Sequence, residues 1–221
     1  HDTFKSILVT GARQTGKSTL LERLFPELNK VSLDDEFARE QAQTNPASFI
    51  RMNPPPVFYD EVQYAPELFP QIKISCDEFK KTGLFCLSGS QPLHLMKNVS
   101  ESLSGRVGIL NLMGLSLREI QKDDFSLPFL PSMEYIQERK KSAQAPENIW
   151  EIIHRGSYPE LYVTEREWID FYSSYVRTYL ERDVRDEIEI RDEIAFTRFL
   201  TAVAARTGRC SITPTFPKKS V

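Results

Sequence analysis

Residues Gly11-Ala12-Arg13-Gln14-Thr15-Gly16-Lys17-Ser18 follow the spacing G-x-x-x-x-G-K-[ST], and Thr19 continues directly behind them. Two glycines at this spacing let the main chain turn with its N–H groups pointing inward, and a helix opening at once adds partial positive charge. That arrangement suits the cradling of a polyphosphate. Lys17 can reach the β- and γ-phosphates, and the Ser18 hydroxyl can ligate Mg²⁺. The flanks supply what such a loop needs: Ser6 to Thr10 reads as a short apolar strand, and Leu20, Leu21, Leu24 and Phe25 recur at helical spacing. A chance match in a glycine-containing turn requires neither flank, so residues 11–19 are expected to bind a nucleoside triphosphate.

A second constellation bears on hydrolysis. Val57-Phe58-Tyr59-Asp60-Glu61 is an apolar strand ending in two adjacent carboxylates, separated from Lys17 by room for a helix, a strand and another helical stretch. Asp60 at the strand end is expected to hold Mg²⁺. Glu61 would point to the other side of the local backbone and act as general base on the attacking water. Taken alone, the same residues describe a buried strand followed by a solvated acidic turn; the phosphate loop upstream favours the functional reading. A guanine reader of the form Asn-Lys-x-Asp is missing, since Asn29-Lys30-Val31-Ser32 lacks the Asp. Small-molecule kinases rarely need a Glu beside the Mg²⁺ carboxylate, because a substrate hydroxyl replaces the water. ATP, Mg²⁺ and water are therefore the expected reactants.

These residues need a scaffold, and the chain can build one. It has 221 residues, enough for one α/β core and a smaller helical unit. A formal net charge of −3 leaves no global basic field for nucleic acid. The three cysteines, Cys76, Cys86 and Cys210, are odd in number and lack paired spacing, which suits buried thiols in a reducing cytosol. No apolar run approaches membrane-spanning length and no secretory signal precedes the first strand, so a cytoplasmic location is expected. Both ends read as those of a fragment.

Further strands are expected at Lys30 to Leu33, Leu84 to Leu87 and Val107 to Leu112. Helices are expected from Glu36 to Gln43, from Asn45-Pro46 to Met52, and from Pro66 to about Lys81 with Gly83 as C-terminal cap. Near-continuous apolar strands alternating with helices imply a parallel sheet covered on both faces, with ligands at the carboxyl ends of the strands. We place the core at residues 1–121, a linker or partly helical connection at 122–146, a helical region at 147–208, and an irregular tail at 209–221 whose native origin is left open. Within the helical region, Glu167 to about Glu187 reads as one amphipathic helix with Trp168, Phe171, Tyr172, Tyr175, Val176, Tyr179, Leu180 and Val184 on its apolar face, more suited to packing than to base stacking. Asp192 is expected to cap a further helix through Ala205, ended by Gly208.

Two more polar groups invite a role. Ser88, and after it Ser90, close the strand at Leu84 to Leu87 and are candidates for sensing the γ-phosphate; a plain Ser-Gly turn explains them equally well. Arg106 precedes the last strand and is expected at the rim of the site, where it would serve as an arginine finger toward a neighbouring copy or as a surface ion pair.

Together with the phosphate loop, Asp34-Asp35, Phe58-Tyr59-Asp60-Glu61-Val62-Gln63, Leu87-Ser88-Gly89-Ser90, Ser104-Gly105-Arg106-Val107 and Leu115-Ser116-Leu117-Arg118-Glu119-Ile120, the sequence resembles the prokaryotic predicted AAA+-superfamily ATPases. The likeness continues through Arg155 to Leu161, Tyr175 to Val184 and Ala204 to Gly208, and so covers about positions 5–209. It implies an α/β fold, a three-layer P-loop NTPase with a five-stranded parallel sheet in the order 5-1-4-3-2, followed by a smaller all-helical region that includes the start of a winged helix. It also implies a C-terminal domain beyond Gly208 that supplies the output, so DNA binding is not assigned to this chain. Gly156 to Pro159 matches the family's Gly-Gly-aromatic-Pro stretch, which places Pro159 near the ribose and base; Ser157 stands where a second Gly is usual.

The resulting expectation is a Mg²⁺-dependent ATPase using Lys17, Ser18, Asp60, Glu61 and Ser88. The alternative is a nucleotide-binding switch with little turnover. Weaker still is a DNA-binding module built on Arg139-Lys140-Lys141 and Lys218-Lys219, since such short runs are usually solvated surface. Homo-oligomerisation through Arg106 stays open, and no membrane partner is expected.

Overall fold

The computed structural model describes residues 3–90, 99, 102–125, 127–179 and 193–206. Its first unit is organised around β1 (Ser6–Thr10), α1 (Lys17–Leu24), β2 (Asn29–Ser32), α2 (Glu36–Thr44), α3 (Pro46–Met52), β3 (Val57–Asp60), a 3-10 turn (Val62–Tyr64), α4 (Leu68–Glu78), β4 (Phe85–Gly89) and β5 (Val107–Asn111). The five strands pair in parallel in the order β2-β3-β4-β1-β5, the expected 5-1-4-3-2 read from the other edge.

Alternation along the inner strands explains the layers. Leu8, Tyr59, Phe85 and Leu87 turn to one side and join Phe49, Leu68, Phe69 and Ile72 from α3 and α4 in the larger buried cluster. Ile7, Val9, Phe58 and Cys86 turn to the other side and meet Leu21 of α1. Strands covered on both faces show apolar runs rather than alternation, which is why β1, β3 and β4 are wholly buried.

The helix ends follow local chemistry. Asp35 caps α2 by accepting from the Ala38 N–H at 2.8 Å, and Asn45 caps α3, whose first residue is Pro46. The helix expected from Pro66 to Lys81 is shorter, because the 3-10 turn takes up its approach and Phe79 is already extended. Gly83 is not its cap: it lies beyond the helix end and donates its N–H to the Phe4 carbonyl at 2.9 Å, tying the approach to β4 to that of β1.

After β5 come α5 (Leu117–Ile120), α6 (Met133–Ser142), α7 (Ile149–Arg155) and α8 (Glu160–Val163). Ser116 and Glu119 form a capping box on α5. The segment expected as a linker is thus ordered around α6, which Arg139 anchors through a 2.5 Å ion pair with Asp123 and a guanidinium 5.0 Å from the Phe125 ring centre. The chain divides into compact units between Trp168 and Ile169. Within the first unit Leu115 donates its N–H to the Ser157 carbonyl at 2.7 Å, which binds the α7–α8 region to the segment leaving β5.

In the second unit, α9 (Trp168–Tyr179) carries a buried Phe171 stacked on Tyr175 at 5.9 Å, and α10 spans Glu193–Ala204. The expected continuation of α9 through Leu180 and Val184, the Asp192 cap, Gly208 and the tail lie outside the described residues. Among the described residues, no helix is long and apolar enough to cross a membrane.

Candidate nucleotide site

Between β1 and α1 the main chain folds into a tight loop. Thr15 closes it by donating to the Ala12 carbonyl at 2.9 Å, and Gly16 caps α1 in the left-handed region. Gly11 lies so close to the chain leaving β5 that a Cβ there would stand 2.2 Å from the Leu112 carbonyl oxygen. The Lys17 ammonium sits inside the loop, 4% exposed, and donates to the carbonyls of Gly11 at 3.1 Å and Ala12 at 2.8 Å. Burial holds its pKa below the ordinary lysine value; the nearby Glu61 and Asp60 charges oppose that shift and Arg13 adds to it. Arg13 donates to the Tyr64 hydroxyl at 2.9 Å, while Gln14 takes a left-handed conformation and Thr19 lies exposed in the first turn of α1.

The carboxylate at the end of β3 meets this loop. Ser18 donates to Asp60 Oδ1 at 2.7 Å, and the buried Ser88 hydroxyl from β4 donates to the same oxygen. Order 1-4-3 in the sheet produces this meeting, since β4 lies between the strand of the loop and the strand of Asp60. The paired hydroxyl and carboxylate form an all-oxygen donor set at the start of a helix, which fits a hard cation such as Mg²⁺.

Glu61 follows in a left-handed conformation (φ 59°), a placement that costs a non-glycine residue about 1–3 kcal/mol and is held by its surroundings. Its N–H donates to Ser88 Oγ at 3.3 Å, and its carboxylate accepts from Ser90 at 3.2 Å and from the Gln63 amide. Ser88 thus touches Asp60 through its side chain and Glu61 through the main chain. Ser90 donates to the Glu61 carboxylate and accepts from the Gln63 amide at 3.3 Å.

One residue named from sequence lies elsewhere. Arg106 is not at the rim of its own site: it precedes Val107, which pairs with Ser6, whereas the phosphate loop leaves from Thr10 opposite Asn111. That is the other edge of the sheet, about 16 Å away along a five-residue strand. There the guanidinium grips both oxygens of Asp77, at 2.7 and 3.0 Å. Pro159 precedes α8, in a stretch that Ser157 joins to Leu115.

Sequence reasoning passed over Lys30 and Gln63. Lys30, on β2, lies 3.2 Å from Asp60 Oδ2 and 2.5 Å from Glu22 Oε1. Partial burial works against its charge, but the Glu22 hydrogen bond and Asp60 outweigh that and raise its pKa. No local pattern marks it, because its meaning depends on the pairing of β2 with β3. Gln63 does have a signal in its place two residues past the carboxylate pair.

A family profile described as "AAA domain" matches residues 3–121, and one described as a domain of unknown function matches residues 146–215. Uncharacterized proteins of Mycobacterium bovis and Mycobacterium tuberculosis are each 27% identical over 192 residues, 80% of this chain and 36% of theirs. The chain therefore spans about a third of the length of these relatives. Among solved structures, the closed state of Hsp104 has a TM-score of 0.37 at 14% identity, covering 91% of this chain and 39% of that one. The FIGL-1 AAA domain in complex with ADP has a TM-score of 0.37 at 13% identity, covering 96% and 73%. The profile that spans the sheet, the loop and the Asp60 strand decides the family: this chain belongs to the AAA domain family, within the AAA+ superfamily of P-loop nucleotide-binding proteins.

Proposed function

We propose that the chain binds ATP with Mg²⁺ and hydrolyses it to ADP and phosphate. The observation that carries this reading is the 2.7 Å hydrogen bond from Ser18 to Asp60, with Glu61 one residue further on. The main-chain N–H groups of residues 11–16 and the Lys17 ammonium would hold the phosphates, and Ser18 with Asp60 would hold the cation. Bound there, Mg²⁺ would neutralise charge developing on the transferred phosphoryl group. Glu61 would accept the proton of the attacking water, and Ser88, already joined to both acidic residues, would align them. The direct test is phosphate release measured beside filter binding of ATP, with Lys17→Ala as background. Release above that background is expected. Tight binding with none would leave the second reading, a switch that holds nucleotide.

That second reading has its own support in the hydrogen bonds from Gln63 and Ser90 to the Glu61 carboxylate, which engage the proposed base. Arg106 bears on assembly: it lies at the far end of the strands, paired with Asp77, and a role as an arginine finger would be toward a neighbouring copy. Turnover per subunit that rises with protein concentration, and a loss of that rise in Arg106→Ala, would support the finger. A flat concentration dependence would reduce Arg106 to its ion pair with Asp77. Residues 209–221 and any domain beyond them carry no role in this proposal, and neither does nucleic acid.

A further inference from the structure

Three donors converge on Asp60. Two are hydroxyls at Oδ1, and the third is the Lys30 ammonium at Oδ2, 3.2 Å away. Lys30 pairs in register with Phe58, two residues before Asp60, so the three side chains lie on one face of the sheet. The ammonium stands 5.7 Å from the Phe58 ring centre, and Glu22 of α1 holds it from the far side at 2.5 Å. A positive charge is thus fixed between α1, β2 and β3, on the very carboxylate whose other oxygen faces Ser18. Cradling phosphate and activating water do not require it. A divalent cation sharing Asp60 with this ammonium is repelled by it, and like charges at such separations interact appreciably even at the effective dielectric of a protein surface.

We propose that Lys30 is a positioning residue for Asp60, a resident counter-cation held by Glu22 that raises the Mg²⁺ concentration needed for nucleotide binding. This rests on the reading of Ser18 and Asp60 as the Mg²⁺ site. Mg²⁺ binding then weakens the Lys30–Asp60 contact, so that occupancy of the site loosens the bridge from α1 to β2. With its side chain 35% exposed, Lys30 can withdraw into solvent without leaving a buried charge behind.

The test is equilibrium binding of a fluorescent ATP analogue titrated with Mg²⁺, which needs no turnover. Lys30→Met should lower the half-saturating Mg²⁺ concentration by about 2- to 10-fold, the scale expected from a partly exposed charge pair. Lys30→Arg, which keeps the cation, should stay within about 2-fold of wild type on the same scale. In an Asp60→Asn background, Lys30→Met should no longer shift the midpoint, a coupling that a purely structural role would not produce. Lys30→Gln replaces the Met variant if the latter does not fold. A midpoint equal to or above wild type in the charge-removing variant overturns the proposal. Wild-type binding indifferent to Mg²⁺, or retained in Lys17→Ala, overturns the site reading itself and the Lys30 proposal with it. Loss of binding in Lys17→Ala beside an unmoved Lys30→Met midpoint overturns Lys30 alone.

Discussion

The hydroxyls of Ser18 and Ser88, one on α1 and the other on β4, donate to a single oxygen of Asp60. A carboxylate that is 6% exposed thereby joins a helix to two strands, with Lys30 on its other oxygen.

Asp60→Asn keeps an oxygen for the two serines but turns an NH₂ group toward Lys30, placing donor against donor. The expected result is a loss of about 1–3 kcal/mol in stability, the usual scale for a buried polar group stripped of its partner. Mg²⁺-dependent nucleotide binding should fall with it. Urea unfolding and filter binding with and without Mg²⁺ check the two effects; a variant as stable as wild type with unchanged Mg²⁺ dependence would contradict both.

Glu61→Gln should leave nucleotide binding intact and slow hydrolysis by about 10²–10⁴-fold, as expected when a positioned proton acceptor is removed. The amide can still accept from Gln63 and Ser90, so the fold around it is retained. Wild-type turnover in this variant would remove Glu61 from the base role.

Gly114 sits where a Cβ would stand 2.7 Å from the Ser157 carbonyl oxygen and closer still to its hydroxyl. The hydroxyl can rotate away, but the carbonyl is fixed by the Leu115 N–H. Gly114→Ala should therefore detach residues 156–159 at a cost of about 1–3 kcal/mol, the range for overpacking. Hydrogen exchange at the Leu115 amide reports it; protection equal to wild type would show that the contact had relaxed instead.

The thiols offer a test of the core. Burial pushes the Cys86 pKa up to about 12 and raises that of Cys76 as well. A raised thiol pKa lowers the thiolate fraction, the reactive form, at every pH below it. Near pH 8, iodoacetamide should leave both residues unmodified in the native protein and label them in urea, as read by peptide mass spectrometry. Rapid native labelling of Cys86 would mean that β4 is not enclosed.

Much of this arrangement was legible because its signals are local. The phosphate loop is contiguous, and the strands that present it are buried on both faces, so they read as unbroken apolar runs. Sheet order, and with it the meeting of Ser18, Asp60 and Ser88, followed from the family resemblance and not from those runs. What escaped depends on register between distant segments. Arg106 looked adjacent to the site because β5 is adjacent to β1, yet parallel pairing of Ser6 with Val107 puts the start of that strand at the opposite edge. Lys30 looked like an imperfect guanine reader, and its contact with Asp60 exists only once β2 lies beside β3. Gly83 matched a helix cap in type and position, but the helix stops earlier because Phe79 turns to extended geometry.

The contact between Gly11 and the Leu112 carbonyl bears on how tolerance to mutation should be interpreted in this chain. A side chain at position 11 collides with main chain, which no change of rotamer nearby can relieve, so replacement disturbs the seam between β1 and β5 before any ligand arrives. A saturation scan scored on protein abundance would consequently deplete position 11 about as strongly as one scored on nucleotide retention, whereas Lys17→Ala should separate the two screens. Intolerance at the first glycine of this loop is a record of assembly, and the second screen is needed to recover the record of ligand.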